Sequence, residues 1–159
     1  VKTWTWDEVM GVYYVRRGLE GEAARLFVMR ATPAEKQRLV ELNRDFDDAA
    51  AREFPGIDEL DIALHVHIAS GAHCPHLYDL IANSHIETIA ILGSSIMLGG
   101  MVPNGNNNLG CHARLIDALL GSDPDAARSE LVAHIDSNLE AYHQLHLVSE
   151  ASGNSISTL

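Results

Sequence analysis

Three short segments of the chain carry strong signals for the start of a helix. Residues 32–35, Thr-Pro-Ala-Glu, combine an N-cap threonine, a proline at the first helical position and the glutamate that completes a capping box. Residues 5–8, Thr-Trp-Asp-Glu, have the same capping-box spacing, and Asp123 precedes Pro124 in a third start signal. Because helix formers such as Ala, Leu, Glu and Arg fill the stretches that follow, the sequence predicts helices and not sheet.

Short clusters of Gly, Pro and Asn divide the chain into six predicted helices. Asp58 is predicted to cap the third helix, and residues 99–110, with Pro103 and four Asn, form the clearest loop. The helices are predicted over about residues 5–30, 32–53, 58–70, 75–97, 109–120 and 123–148. About six to seven helices joined by short turns predict an all-α fold, an antiparallel helical bundle.

The charge of the chain limits the partners that it can bind by itself. Acidic residues number 22 against 11 basic ones, a formal net charge of -11, so a nucleic acid would be repelled by most of the surface. Two cysteines are too few for a disulfide framework, and no signal-peptide pattern begins the chain. No stretch approaches the ~18 apolar residues that would span a membrane. These features predict a cytoplasmic protein without membrane contact.

Asp61 and His65 are the first sign of a polar site inside the predicted bundle. They are four residues apart and therefore lie on the same face of a helix. That face is otherwise apolar, since Leu60, Leu64 and Ile68 belong to the same stripe. Burying a polar group without a partner costs about 1–3 kcal/mol, so both side chains are predicted to have a partner in the core.

Two later helices also direct a histidine inward. Of the nine histidines, His112 shares a predicted apolar face with Leu115, and His134 shares one with Leu131. A hydrogen-bonded core histidine is the simpler interpretation of any one of them. With the earlier Asp and His, however, they could share a divalent cation in a central cavity, and this ligand set suits zinc, with nickel, manganese and iron as alternatives. An open coordination position would then accept a small carboxylate or hydroxyacid.

Two further residues are candidates for contact with such a ligand. Arg16 lies on a largely apolar face and could reach a carboxylate of an effector, but an ion pair with Glu20 at i+4 is the favoured interpretation. His85 lies one turn after Ile81 and could face the cavity, or it could be an ordinary core histidine with its hydrogen bonds satisfied.

Asn138 and Cys111 each lie close in sequence to a candidate ligand. Asn138 follows His134 by one helical turn and could contact either that histidine or the effector. Cys111 is adjacent to His112, and adjacent side chains on a helix diverge by about 100°, so we expect a buried thiol outside the site.

Several motifs of the chain resemble one family of regulatory domains. Residues 61–65 read Asp-Ile-Ala-Leu-His, residues 112–127 begin with His and contain Gly-Ser-Asp, and His134 follows His112 by 22 residues. Residues 16–20 read Arg-Arg-Gly-Leu-Glu. Together these motifs resemble the FCD domain, the FadR-type C-terminal domain of GntR-family bacterial transcription regulators, over about residues 6–147.

The resemblance implies a ligand set and a regulatory function. The residues that bind a divalent metal in members of that family correspond to Asp61, His65, His112 and His134. In that family the effector, commonly a carboxylate, lies on or beside the metal and alters DNA binding by a dimer, and the resemblance implies the same here. Residues 1–150 would then form the effector-binding and dimerisation domain and 151–159 a polar tail, with the winged-helix DNA-binding domain absent from this chain.

A metal-dependent lyase or hydrolase is the alternative function. The sequence argues against it, because no Glu or further Asp has the spacing of a general base near the four candidate ligands. The expectation is therefore a sensory domain and not an enzyme.

Overall fold

The computed structural model describes residues 4–52, 56–97 and 110–151, and for residues 90–97, 145, 146 and 148–151 it describes the backbone alone. Within these ranges the regular elements are six helices, which confirms the predicted all-α class. Apart from Gly110, the predicted loop at 99–110 lies outside the described residues, as does the tail after 151. The helices are α1 (Trp6–Arg30), α2 (Pro33–Ala51), α3 (Ile57–Gly71), α4 (Pro75–Met97), α5 (Ala113–Leu120) and α6 (Pro124–Ala151).

Most helix starts follow the sequence signals. Both predicted capping boxes form, at residues 5–8 and 32–35, with the threonine and glutamate of each box satisfying a backbone N–H. The carboxylate of Asp123 accepts hydrogen bonds from two backbone N–H groups in the first turn of α6. The caps therefore fix where α1, α2 and α6 begin.

Two helix starts differ from the prediction. The third helix begins at Ile57 with Gly56 at the N-cap and no side-chain capping hydrogen bond, so the prediction that Asp58 caps it was wrong. Asp58 lies in the first turn, where its charge still favours the helix dipole. The fifth helix begins at Ala113 and not near residue 109, because Gly110 adopts a φ of 72° that no right-handed helix contains.

The first helix is central to the bundle and packs against α3, α4, α5 and α6. It runs antiparallel to α6, since Trp6 stacks on His143 near one end, and towards the other end a Cβ atom at Gly21 would lie 3.0 Å from Cγ2 of Val132. One buried apolar cluster joins α1 to α2, α3, α5 and α6, and a second joins α1 to α3 and α4. No helix in the described ranges has the length and apolarity needed to cross a membrane.

Gly71, the last residue of α3, lets that helix approach α1 closely. A Cβ atom at this position would lie 2.5 Å from Cε2 and 2.6 Å from Cδ2 of Phe27. The Phe27 ring is fully buried and fills the space against α3. The close approach positions α3, and with it the polar residues of its apolar face, against α1.

Candidate metal centre

Four polar side chains converge in the interior of the bundle. Asp61 and His65 project from α3, His112 lies at the start of α5, and His134 projects from α6. One donor atom of each lies within 4.8 Å of the other three. Oδ1 of Asp61 is 3.0 Å from Nε2 of His112, 3.8 Å from Nε2 of His65 and 4.0 Å from Nε2 of His134. The structure thus brings together the four residues that the sequence predicts as ligands.

Apolar packing places these polar groups inside. His65 and His112 are fully buried and His134 is nearly so, because each shares its helix face with core residues such as Leu64, Leu115 and Ile135. Phe46 of α2 packs edge-on against His112 with ring centroids 4.5 Å apart. Asp61 is the most accessible of the four, with 23% of its side chain exposed.

The four groups strongly shift one another's protonation. Burial raises the pKa of Asp61, but the charge of His65 and the hydrogen bond with His112 outweigh it and hold this pKa well below its usual range. Burial lowers the pKa of His112, yet the hydrogen bond with Asp61 prevails and raises it to about 9. Burial, followed by the charges of His65 and His112, lowers the pKa of His134 to about 3. The cluster therefore keeps an ionised carboxylate beside a neutral His134.

The donor atoms fit a divalent cation. Nε2 of His65 is buried and has no hydrogen-bond partner among the described residues, although it faces the other three donors. Such an atom costs about 1–3 kcal/mol when it is left unpaired. Atoms bonded to one ion at about 2.0–2.2 Å lie roughly 3–4.4 Å apart, close to the distances seen here. Three imidazole nitrogens and one carboxylate oxygen could hold zinc or a similar ion without large movements.

A second polar layer lies behind His65 and is centred on Glu20 of α1, which is buried. The Nδ1–H of His65 donates to Oε2 of Glu20 at 2.5 Å, and Nε of Arg16 donates to Oε1 at 2.7 Å. Nε2 of His85 lies 3.4 Å from the same Oε1. Burial raises the pKa of Glu20, but the charges of His65 and Arg16 hold it well below its usual range. The carboxylate is therefore ionised and acts as an acceptor.

Spacing along the chain did not reveal Glu20 as a neighbour of the candidate ligand His65. Glu20 belongs to a different helix from His65 and meets it through the packing of α1 on α3, across 45 residues of sequence. The available signal was the Arg16 and Glu20 pair at i+4 on an otherwise buried face of α1. Two opposite charges on an apolar face indicate a third polar group opposite them.

Arg16 and His85 occupy different surroundings. The predicted ion pair between Arg16 and Glu20 is confirmed, yet Nη2 of Arg16 remains without a hydrogen-bond partner in the described part of the chain and the residue lines a cavity. His85 is buried beside Glu20 and is not among the described residues that line this cavity. Of these two residues, Arg16 is the one on the cavity wall.

The cavity has a volume of about 90 Å³ and opens beside Asp61 and His134. This volume corresponds to about three water molecules, so it suits a ligand of a few heavy atoms. Asn138 lines the cavity, and its amide nitrogen lies 3.3 Å from Nε2 of His134. The polar or aromatic side chains on its walls are Tyr13, Arg16, Phe46, Asp58, Asp61, Thr88, Cys111, His134, Asn138 and Tyr142.

Cys111 also lines this cavity and is exposed, so the prediction of a buried thiol was wrong. The prediction assumed that Cys111 and His112 are consecutive positions of a helix, whose side chains would diverge. Residues 110–112 instead form a turn before α5, and the turn directs the cysteine towards the cavity mouth.

The fold and the site define a class of protein: an all-helical domain with an imidazole and carboxylate cluster beside a small cavity. The FCD domain family matches residues 11–137, and the chain belongs to that family. The matched range contains six of the seven residues that the sequence predicts for the metal and effector, and Asn138 lies just beyond it. The FCD family is a family of regulatory domains, which supports the expectation of a regulator.

Comparison with solved structures gives a consistent result. The chain is similar to Streptococcus agalactiae GntR, with 25% sequence identity and a TM-score of 0.65. The match covers 82% of this chain and 57% of that one, so the chain spans little more than half of the length of this relative. No curated protein sequence matches the chain.

Proposed function

We propose that this domain senses a small carboxylate through a divalent metal ion held by Asp61, His65, His112 and His134. The observation that carries the proposal is the convergence of three imidazole Nε2 atoms on one carboxylate oxygen. An ion at this point would give the unpartnered Nε2 of His65 a partner and would neutralise the buried carboxylate. Zinc is the leading candidate, with nickel, manganese and iron as alternatives.

The cavity beside the cluster supports a carboxylate or hydroxyacid as the effector. A metal with an open position supplies a Lewis acid for one carboxylate oxygen. Nη2 of Arg16 is buried, and no acceptor for it occurs among the described residues, so it could donate a charge-assisted hydrogen bond to such a ligand. The amide of Asn138 provides a second polar contact on the same wall.

We propose that the effector regulates DNA binding by a separate winged-helix domain in a homodimer. The formal net charge of -11 makes this domain itself a poor partner for DNA. An effector that binds one arrangement of the dimer more tightly than another would shift the population towards it. The similarity to Streptococcus agalactiae GntR, of which the match covers 57%, supports a regulator that is longer than this domain.

A metal-dependent lyase or hydrolase is the second candidate. The observation that favours it is Asp58, which lines the cavity and whose pKa is raised by burial and by the charge of Asp61. A carboxylate with a raised pKa beside a metal has the properties of a general base. We favour the sensor because the family is regulatory. The two functions differ in one outcome: an enzyme would convert the bound acid, whereas a sensor would release it unchanged.

The test of the metal site is the metal content of tag-free protein by mass spectrometry. We expect about one ion per chain in the wild type and none in Asp61→Ala or His112→Ala. His76→Ala removes an exposed histidine of α4 and should keep the ion. A wild-type protein that is folded but does not bind Zn²⁺, Ni²⁺, Mn²⁺ or Fe²⁺ on titration would refute the metal site.

The test of the effector is calorimetric titration with a panel of small carboxylates and hydroxyacids. We expect binding to the metal-loaded protein and much weaker binding to the metal-free protein, because the ion would hold one carboxylate oxygen. Equal binding to both forms would indicate that the metal has only a structural role. Chemical conversion of the bound acid, followed by NMR, would favour the enzyme.

A further inference from the structure

Glu20 contacts His65 on the side of the ring that faces away from the four-residue cluster. Its Oε2 atom lies 2.5 Å from Nδ1, while Nε2 of the same ring is one of the donors in the cluster. Both side chains are almost completely buried, with exposures of 2% and 0%. A buried carboxylate therefore holds one nitrogen of a candidate ligand whose other nitrogen faces the metal position.

This contact selects one tautomer of His65. An ionised carboxylate only accepts hydrogen bonds, so Nδ1 must carry the proton. When the ring is neutral this is its single N–H, so Nε2 then keeps a free lone pair directed at the cluster. Without the carboxylate, the proton could move to Nε2 and point towards Oδ1 of Asp61, which is 3.8 Å away. A proton there would compete directly with an ion.

Glu20 is itself fixed by its neighbours. Nε of Arg16 donates to its other oxygen at 2.7 Å from one turn earlier on α1, and Nε2 of His85 lies 3.4 Å from that oxygen. The guanidinium balances the charge of the carboxylate inside the core. The position of His65 in the cluster is thus tied to α1 and not only to its own helix.

We propose that Glu20 is a positioning residue of the metal site, which sets the tautomer and orientation of His65 so that Nε2 can bind the ion. The proposal rests on the proposed function, since it requires a metal at the cluster. Carboxylates that hold a metal-ligating histidine typically contribute about 10–100-fold to metal affinity. We expect a loss of this size when the Glu20 carboxylate is replaced.

The experiment compares Glu20→Gln with a matched control, Glu35→Gln. Glu35 is also a carboxylate beside a histidine, but it lies on α2 and accepts hydrogen bonds from Thr32 and contacts His73, away from the cluster. Zn²⁺ affinity is measured by competition with a chromophoric chelator. The tautomer of His65 is read from its ring nitrogen shifts by ¹⁵N NMR of the metal-free protein. If Glu20 had a purely structural role, these shifts would be the same in Glu20→Gln and the wild type.

The expected result is a proton on Nδ1 of His65 in the wild type, a mixture of tautomers in Glu20→Gln and Zn²⁺ affinity about 10–100-fold lower in that variant only. Equal Zn²⁺ affinity in Glu20→Gln and the wild type would overturn this proposal and leave the metal site intact. A wild type that binds no metal would overturn both. If Glu20→Gln does not fold, the wild-type tautomer decides, because a proton on Nε2 of His65 contradicts the proposal.

Discussion

Replacing Gly71 with alanine should destabilise the domain, although alanine is the better helix former. The added Cβ would lie 2.5 Å and 2.6 Å from two carbons of the Phe27 ring. Carbon atoms in ordinary contact are about 3.5–4.0 Å apart, so the overlap is roughly 1 Å. The ring is fully buried and cannot move aside without displacing other core residues. Either the ring or α3 must therefore shift.

The size of the effect follows from two opposing terms. Overpacking a core by one methyl group typically costs about 1–3 kcal/mol. Replacing a glycine in a helix with alanine stabilises the folded protein by at most about 1 kcal/mol. The gain is smaller at Gly71, because it is the last residue of α3. We expect a net loss of about 1–2 kcal/mol, equivalent to a fall in Tm of roughly 2–8 °C for a domain of this size.

The assay is urea unfolding of the metal-free protein, followed by circular dichroism. Gly18→Ala is the matched control, since a Cβ there meets no described atom within 4 Å and the residue lies inside α1. We expect Gly18→Ala to be more stable than the wild type by about 0.5–1 kcal/mol. If Gly71→Ala were stabilised to the same degree, the close packing of α3 on Phe27 would be refuted.

Three further predictions concern the cap of α2 and the cavity. Hydrogen bonds from the backbone and side chain of Thr32 lower the pKa of Glu35 to about 2. These hydrogen bonds therefore stabilise the folded protein fully above about pH 4.5, and this stabilisation is lost as the pH falls towards 2. An NMR titration should show this pKa returning towards 4.5 in Thr32→Ala, and an unchanged value would contradict the capping box. Asn138→Ala should weaken carboxylate binding in calorimetry but keep the metal; loss of the metal would mean that the amide supports the ligands instead. Cys111 is exposed whereas Cys74 is half-buried, so peptide mapping after alkylation should show Cys111 modified first, and equal rates would argue against its position at the cavity mouth.

Much of the candidate site could be predicted because its residues repeat with the period of a helix. Asp61 and His65 are four residues apart on an apolar stripe, and His112 and His134 each share a face with leucines. That pattern predicts an inward direction for each side chain. It does not predict that side chains of three different helices meet, because the distance between helices depends on how they pack.

The failed predictions share one physical cause. Cys111 was expected to diverge from the site because helical geometry was assumed where the chain forms a turn. Asp58 was expected to cap a helix that begins one residue earlier, and it lines the cavity instead. Each side chain follows the local backbone at a helix end, where short-range sequence signals are weakest.

The sequence by itself determined the helices, their caps and the inward direction of the four candidate ligands, because these depend on interactions between residues at most four positions apart. The tertiary structure decided which of the inward groups meet. Packing of α3 on α1, with Gly71 against Phe27, places Glu20 behind His65 across 45 residues of sequence. The same packing places Arg16 on the wall of a cavity of about 90 Å³, with one guanidinium nitrogen that has no hydrogen-bond partner among the described residues. Contacts of this kind have no period along the chain, since they depend on the shapes of whole helix faces.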